Sequence, residues 1–398
     1  MEKRFIRDDY EKSFHEFEEK DFLDEVTAME SDGAWEDHKA HEMNIAAPCG
    51  PLTMDSIISG LRFGTAEEIA ADTMEQSDGY FGSKLFLDTP TGYVPMRRKA
   101  TAQVVCAALG LTDELQKKDE DTDPGVFQLL YSAVKNAKNR KNRTVQVWVC
   151  GGKVTAAGTG DYCIMQIDEL LARVLGKLKE TFPVMEFSYG YNSYDYTKAV
   201  WKIEGDEKDK LTEQYKAMFR DRPVPNLEFT VTVKTSNRSS SSAYIIPVLE
   251  ADDGSRIPIG TQIEVKHLKR AGGVPEGIDA LVSLASGVFA KFGDARSRFG
   301  PMSETVISYP RDCLLRLCKK AGLPGKLASQ CADDLQAYLA GNGKTSCTMF
   351  EVYLSICKAI VYGRANGSSD RDCDNYEEAI ARIVRYNWSA EDKAVDAL

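Results

Sequence analysis

The chain has 398 residues, 43% of them hydrophobic and 28% charged, with a formal net charge of −11 at pH 7. That length and apolar content suit two or three domains with buried cores and exclude a disordered chain, a collagen-like repeat or a small disulfide scaffold. The charge is uneven: residues 1–42 hold fifteen acids against six Lys or Arg, whereas the rest carries 46 acids against 44 bases.

The first thirty residues lack an apolar signal core, and no stretch approaches the roughly eighteen apolar residues of a membrane span. Ten Cys are scattered, without any C-x-x-C pair, among apolar neighbours. Reduced core thiols in a cytoplasm are expected, with no zinc knuckle and no disulfide framework.

In chain order, residues 1–47 read as an acidic helical arm in which Phe5, Ile6, Tyr10, Phe14, Phe17 and Val26 stand at loosely helical spacing. The arm is either a solvated helix, a helix docked on its own body, or a tail for a protein partner. Residues 48–125 read as a mixed α/β region. Within it, 85–98 form two extended pieces about a turn, and Ala100 to Leu111 form a buried helix closed by Gly110. A polar linker over 116–125 ends at Pro124-Gly125 and is followed by a helix over 126–137.

The best-patterned region is 126–275. Val145, Val147 and Val149 alternate with Gln146, Trp148 and Cys150, a strand with two different faces, and Gly151-Gly152 then signals a hairpin. Asp168 is the expected cap of a helix carrying Leu170, Leu171, Val174, Leu175 and Leu178, closed by Pro183. Strands are predicted at 184–189 and 199–204, then through Phe229, Val231 and Val233, at 243–249, after the turn Asp253-Gly254, and from Thr261 to Leu268. From residue 276 to the end a bundle of four or five helices is predicted, one of them opened by a capping box at Thr348-Met349-Phe350-Glu351. The fold class is therefore α+β, an antiparallel sheet core with inserted helices.

Two stretches resemble the phage/plasmid-like proteins that share the domain of unknown function 932. One is Val154-Thr155-Ala156-Ala157-Gly158-Thr159-Gly160-Asp161-Tyr162 leading into Ile167-Asp168-Glu169-Leu170-Leu171. The other runs from Val231 through Ser236-Asn237 and Pro247 to Val265-Lys266-His267. The resemblance covers roughly residues 85–300. It departs from the family where Gly160-Asp161 replaces a Ser and Arg before the Tyr, and where Arg238 and serines follow the Asn turn. It implies a phage, prophage or plasmid setting in a bacterial cytoplasm and supplies no activity.

Two constellations carry possible chemistry. Lys135, Lys138, Arg140, Lys141 and Arg143 fall within nine residues that hold no acid, a strip suited to a phosphate backbone, with Arg238, Arg256, Lys266 and His267 as candidates to join it from the sheet loops. Tyr189, Tyr191, Tyr194 and Tyr196 stand within eight residues between two predicted strands and offer faces for unpaired bases, with Trp148 and Trp201 as an extension. The same tyrosines equally suit packing over a sheet edge. Gly341-Asn342-Gly343-Lys344-Thr345-Ser346 lacks the first glycine of a phosphate-binding loop and follows a helix, so it reads as an interhelical turn. His38 and His41 read as residues of an acidic helix rather than metal ligands, and no hydrolase motif occurs.

No cofactor, metal or membrane is called for. The expected function is single-stranded nucleic-acid binding without catalysis, for example strand annealing in replication or recombination, by a homo-oligomer. The alternative is a phage structural or host-interaction protein acting through protein contacts.

Overall fold

A computed structural model describes residues 10–48, 50–62, 85–109, 143–219, 226–236, 242–259, 262–269 and 276–394. The fold is α+β, with antiparallel sheets and helices. Its centre is a seven-stranded antiparallel sheet in the order β1 (Glu11–His15), β8 (Met185–Ser193), β9 (Thr197–Ile203), β10 (Leu227–Thr235), β11 (Ala243–Ala251), β12 (Arg256–Pro258), with β13 (Ile263–Val265) also on β11. Pro247, which has no N–H to give, stands opposite Val231 of β10 and, on its other side, lies where β11 passes from β13 to β12 and has no paired residue.

A second sheet takes β2 (Gly33–Lys39), β6 (Thr144–Cys150) and β7 (Lys153–Thr159), and a third takes β3 (Asn44–Ala46), β4 (Phe86–Thr89) and β5 (Gly92–Pro95). Gly151 and Gly152, at φ 59° and 76°, make the tight turn between β6 and β7 that their sequence predicts. Residues 85–98 form the two expected extended pieces, β4 and β5. The strands predicted at 184–189 and 199–204 are present with longer or shifted bounds.

The period-2 alternation gives the large sheet two unlike faces. Phe229, Val231 and Val233 join Ala199, Trp201 and Ile203 in the main core, while Thr230, Thr232 and Lys234 face the other way. Against the apolar face lies α4 (Ile167–Thr181), whose Leu170, Leu171, Val174, Leu175 and Leu178 are all buried, as their spacing predicts. The helix begins one residue before Asp168, so that side chain sits in the first turn and accepts from Glu169 N instead of capping.

The segment expected as a helical arm is divided. Among its described residues only α1 (Glu19–Ser31) is helical; β1 forms an edge of the large sheet and β2 pairs with β6 over seven residues. Phe14, Phe22, Val26 and Met29 are buried, whereas Phe17 is 98% exposed. Phe22 reaches the sheet because Gly190 leaves room: a Cβ there would stand 2.6 Å from its ring.

The remaining helices are α2 (Met54–Ser59), α3 (Arg98–Leu109), α5 (Asp206–Phe219), α6 (Gly277–Ala285), α7 (Val288–Glu304), α8 (Pro310–Ala321), α9 (Gly325–Gly341), α10 (Met349–Cys357), α11 (Ala359–Ala365), α12 (Asp370–Ile383) and α13 (Trp388–Glu391). The C-terminal region thus holds eight described helices where four or five were expected, because short turns cut it more often than Gly and Pro mark. The capping box opens α10 as predicted: Thr348 Oγ1 accepts from Glu351 N, and the Glu351 carboxylate accepts from Thr348 N at 2.7 Å. The strip from Lys135 to Asn142, the linker, the helix at 126–137, Cys49, Gly110 and Arg238 lie outside the described residues. No helix among the described residues is long and apolar enough to cross a membrane.

Candidate nucleic-acid interface

Arg143, the last cation of the basic run, enters β6 at the edge of a recess of about 430 Å³. Its walls include Asp37 from β2, Thr144 and Gln146 from β6, Thr159 from β7, and Gly160, Asp161 and Lys269 from the loops beyond. Lys269 is held there by donating Nζ to the Gly160 carbonyl at 2.9 Å, while its own N–H reaches Asp161 O. Lys39 adds a nearby cation, its Nζ donating to Thr144 Oγ1 at 3.0 Å. Lys266, three residues before Lys269, is exposed. One end of the small sheet thus gathers charge from segments more than a hundred residues apart in sequence.

The tyrosine run is placed differently. Tyr189 and Tyr191 are strand residues, because β8 continues to Ser193. A bulge between Phe187 and Tyr189 shifts the register by one, so Phe187 stays opposite Trp201 in the core while Tyr189 moves to the polar face. The hydroxyl of Tyr189 donates to Asp370 at 2.5 Å, that of Tyr191 to Glu11 at 2.7 Å, and that of Tyr196 to Asp374. Tyr194 is fully buried beneath the Arg97 guanidinium, 4.6 Å from its ring centre. Trp148 and Trp201 lie in different sheets, both buried, with Trp201 Nε1 donating to Glu19. These rings pack and tie elements together; they do not form one open stacking surface.

Register sets Tyr191, Lys198, Lys234 and Tyr244 side by side across β8, β9, β10 and β11. Two lysines on adjacent strands repel, and α12 supplies the neutralising charge. Its Asp370, Asp374, Glu377 and Glu378 recur at helical spacing on the side facing the sheet. Asp374 binds Lys198, Glu378 binds Lys234 at 2.7 Å, and Glu377 accepts from Arg256 Nε at 2.7 Å. Arg256 also donates to Thr232 Oγ1 at 2.9 Å. Burial draws the Lys198 pKa down to about 7, with Arg256 adding to the shift, and pushes the Asp374 carboxyl well up, with Glu377 and Glu378 adding. Glu377 moves the other way: burial opposes its charge, but Arg256 and Lys198 outweigh it and hold it at about 2.

Arg256 and His267, expected at the interface, are instead buried at 3% and 6% exposure. His267 stacks flat on Tyr162, centroids 5.0 Å apart, and its Nδ1 lies 3.0 Å from Cys163 O. Burial draws its pKa down to about 4. His38 and His41 do not converge: one lies against Glu36 at 3.2 Å and the other against Glu42 at 3.6 Å. Among the described residues no group of three or more His, Cys, Asp or Glu is placed to hold a metal ion. The nine described cysteines are free thiols.

Sequence reasoning did not single out Asp37 or Gln146, nor the acidic face of α12. The last had a legible signal, acids at 370, 374, 377 and 378. Comparison with protein-family models, curated proteins and solved structures gives no match to this chain.

Proposed function

We propose that the protein binds single-stranded nucleic acid without catalysis, with the backbone led past the recess at the end of β6. The observation that carries this reading is that Arg143, which ends a run of five cations, and Lys269, from a loop 126 residues later, line the same recess. Cations converging from remote segments follow an anionic chain better than a single basic turn does. Lys266 and Lys39 extend the charge on either side. The tyrosines and Arg256 take no part in this contact; Tyr189, Tyr196 and Arg256 hold α12 on the sheet. The resemblance to the phage/plasmid-like family supports a phage or plasmid setting.

Fluorescence anisotropy with a labelled single strand tests the proposal. Binding is expected near 50 mM salt and is expected to weaken at least tenfold by about 200 mM. Arg143→Ala and Lys269→Ala should each weaken it several-fold, whatever the sequence of the strand. No binding at the lower salt would refute the reading.

A second reading, a protein-interaction role, rests on a groove of about 760 Å³ between α9 and α10. Val306 and Tyr338 line it and are 61% and 46% exposed, and Lys344 and Lys358 stand on its walls with Glu351 and Asp334. A stable complex that ignores nucleic acid and is lost on Tyr338→Glu would favour that role.

A further inference from the structure

The recess beside Arg143 holds more than cations. Gln146 lines it, is only 5% exposed, and its buried Oε1 has no hydrogen-bond partner. An orphaned amide in a protein interior costs about 1–3 kcal/mol, so its presence at a cavity wall calls for a partner that arrives from outside. Directly across the ladder stands Asp37, paired in register with Gln146 and exposed. On the other side the paired residue is Gly158, which contributes no side chain.

The chemistry of this set is specific. Arg143 and Lys269 offer positive charge for a phosphate. Asp37 is an acceptor only, and the buried Oε1 of Gln146 is an unspent acceptor. A volume of about 430 Å³ falls within the range of small-ligand sites. An exocyclic amino group is what a carboxylate accepts from on a base edge, as when Asp or Glu reads cytosine N4. An oxo group at the same position, as in uracil, sets acceptor against acceptor.

We propose that this recess is a nucleotide pocket, holding one unstacked nucleotide of a bound strand and selecting bases that carry an exocyclic amino group over those that carry an oxo group in its place. Asp37 and the Gln146 Oε1 each accept from one N–H of the amino group, and Arg143 and Lys269 hold the phosphate. The inference rests on the nucleic-acid reading and adds the base preference to it.

The test compares a deoxycytidine dodecamer with a deoxyuridine dodecamer, which differ at the base by amino against oxo and by the N3 proton that goes with the oxo form, by anisotropy on the full chain near pH 7.5 at about 50 mM salt. Cytidine is expected to bind about tenfold tighter, the worth of one good base contact. Asp37→Asn, an exposed substitution that keeps the fold and can offer an N–H to the oxo group, should bring the ratio close to one. Gln146→Met should weaken cytidine binding while raising the melting temperature, because it removes an orphaned polar group. Equal binding of the two strands overturns the pocket and leaves the nucleic-acid reading intact, as does a cytidine preference that survives Asp37→Asn. Failure of both strands to bind overturns the nucleic-acid reading itself, and the pocket with it.

Discussion

At the scale of single residues, His267 shows how position overrides residue type. Beside a strand end it reads in sequence as a surface group able to join a basic strip, yet its ring is buried against Tyr162, which in turn packs against Trp35 with ring centres 5.5 Å apart. The folded state holds this imidazole neutral, its pKa moved from 6.5 to about 4. Between those values the unfolded chain binds a proton that the folded chain refuses, so stability falls with acid. The contribution is complete above pH 6.5 and is lost as pH drops towards 4, amounting to about 3 kcal/mol over the full window. Urea unfolding between about pH 7 and pH 5 should show this loss in the native protein and a shallower slope in His267→Gln. Equal slopes would show that the imidazole titrates normally.

At the scale of elements, α12 is the piece that joins the C-terminal helices to the sheet. Cys373, Ile380 and Ile383 are buried, while its acids meet Lys198, Lys234 and Arg256 on the polar face of the sheet. A capping box from Ser369 and Asp372 fixes where the helix starts, and hence which acid meets which cation. Removing one partner leaves a buried charge alone, so Glu377→Gln is expected to cost about 3–5 kcal/mol. Replacing both, Arg256→Met with Glu377→Leu, should cost much less than the sum of the single changes, since no charge is then stranded. Denaturant melts of the two single variants and the double variant measure this coupling. Additive losses would mean that the pair is solvated. Four of the five acids of α12 were legible as a helical stripe, but nothing local says that their partners come from strands at least a hundred residues earlier.

At the scale of the whole molecule, the acidic first segment is part of the body. Phe14, Phe22, Val26 and Met29 are each within 2% of full burial, and each such side chain contributes roughly 1.5–3 kcal/mol. Their sum rivals the total stability of an ordinary domain, about 5–15 kcal/mol. Deleting residues 1–42 is therefore expected to abolish cooperative melting, measured by circular dichroism, because it strips β1 from the large sheet and β2 from the small one. A truncated chain with an unchanged transition would show that the segment is dispensable. Two of its acids are paired, Glu25 with Lys12 at 3.0 Å and Glu16 with Lys202 of the large sheet at 2.8 Å.

The sequence by itself determined the elements whose signals are local: the alternation of β6 and β10, the Gly151-Gly152 turn, the apolar stripe of α4 and the capping box at Thr348. Each depends on contacts within a few residues or on burying a single face, and periodicity records both. The tertiary structure alone decided where the charge goes. It pairs Glu16 with Lys202, sets acids of α12 against a row of cations on the sheet, and brings Arg143, Lys269, Asp37 and Gln146 together in a small polar recess. Strand pairing sets those neighbours, and its partners lie far apart in the chain, so neither composition nor spacing could reveal them.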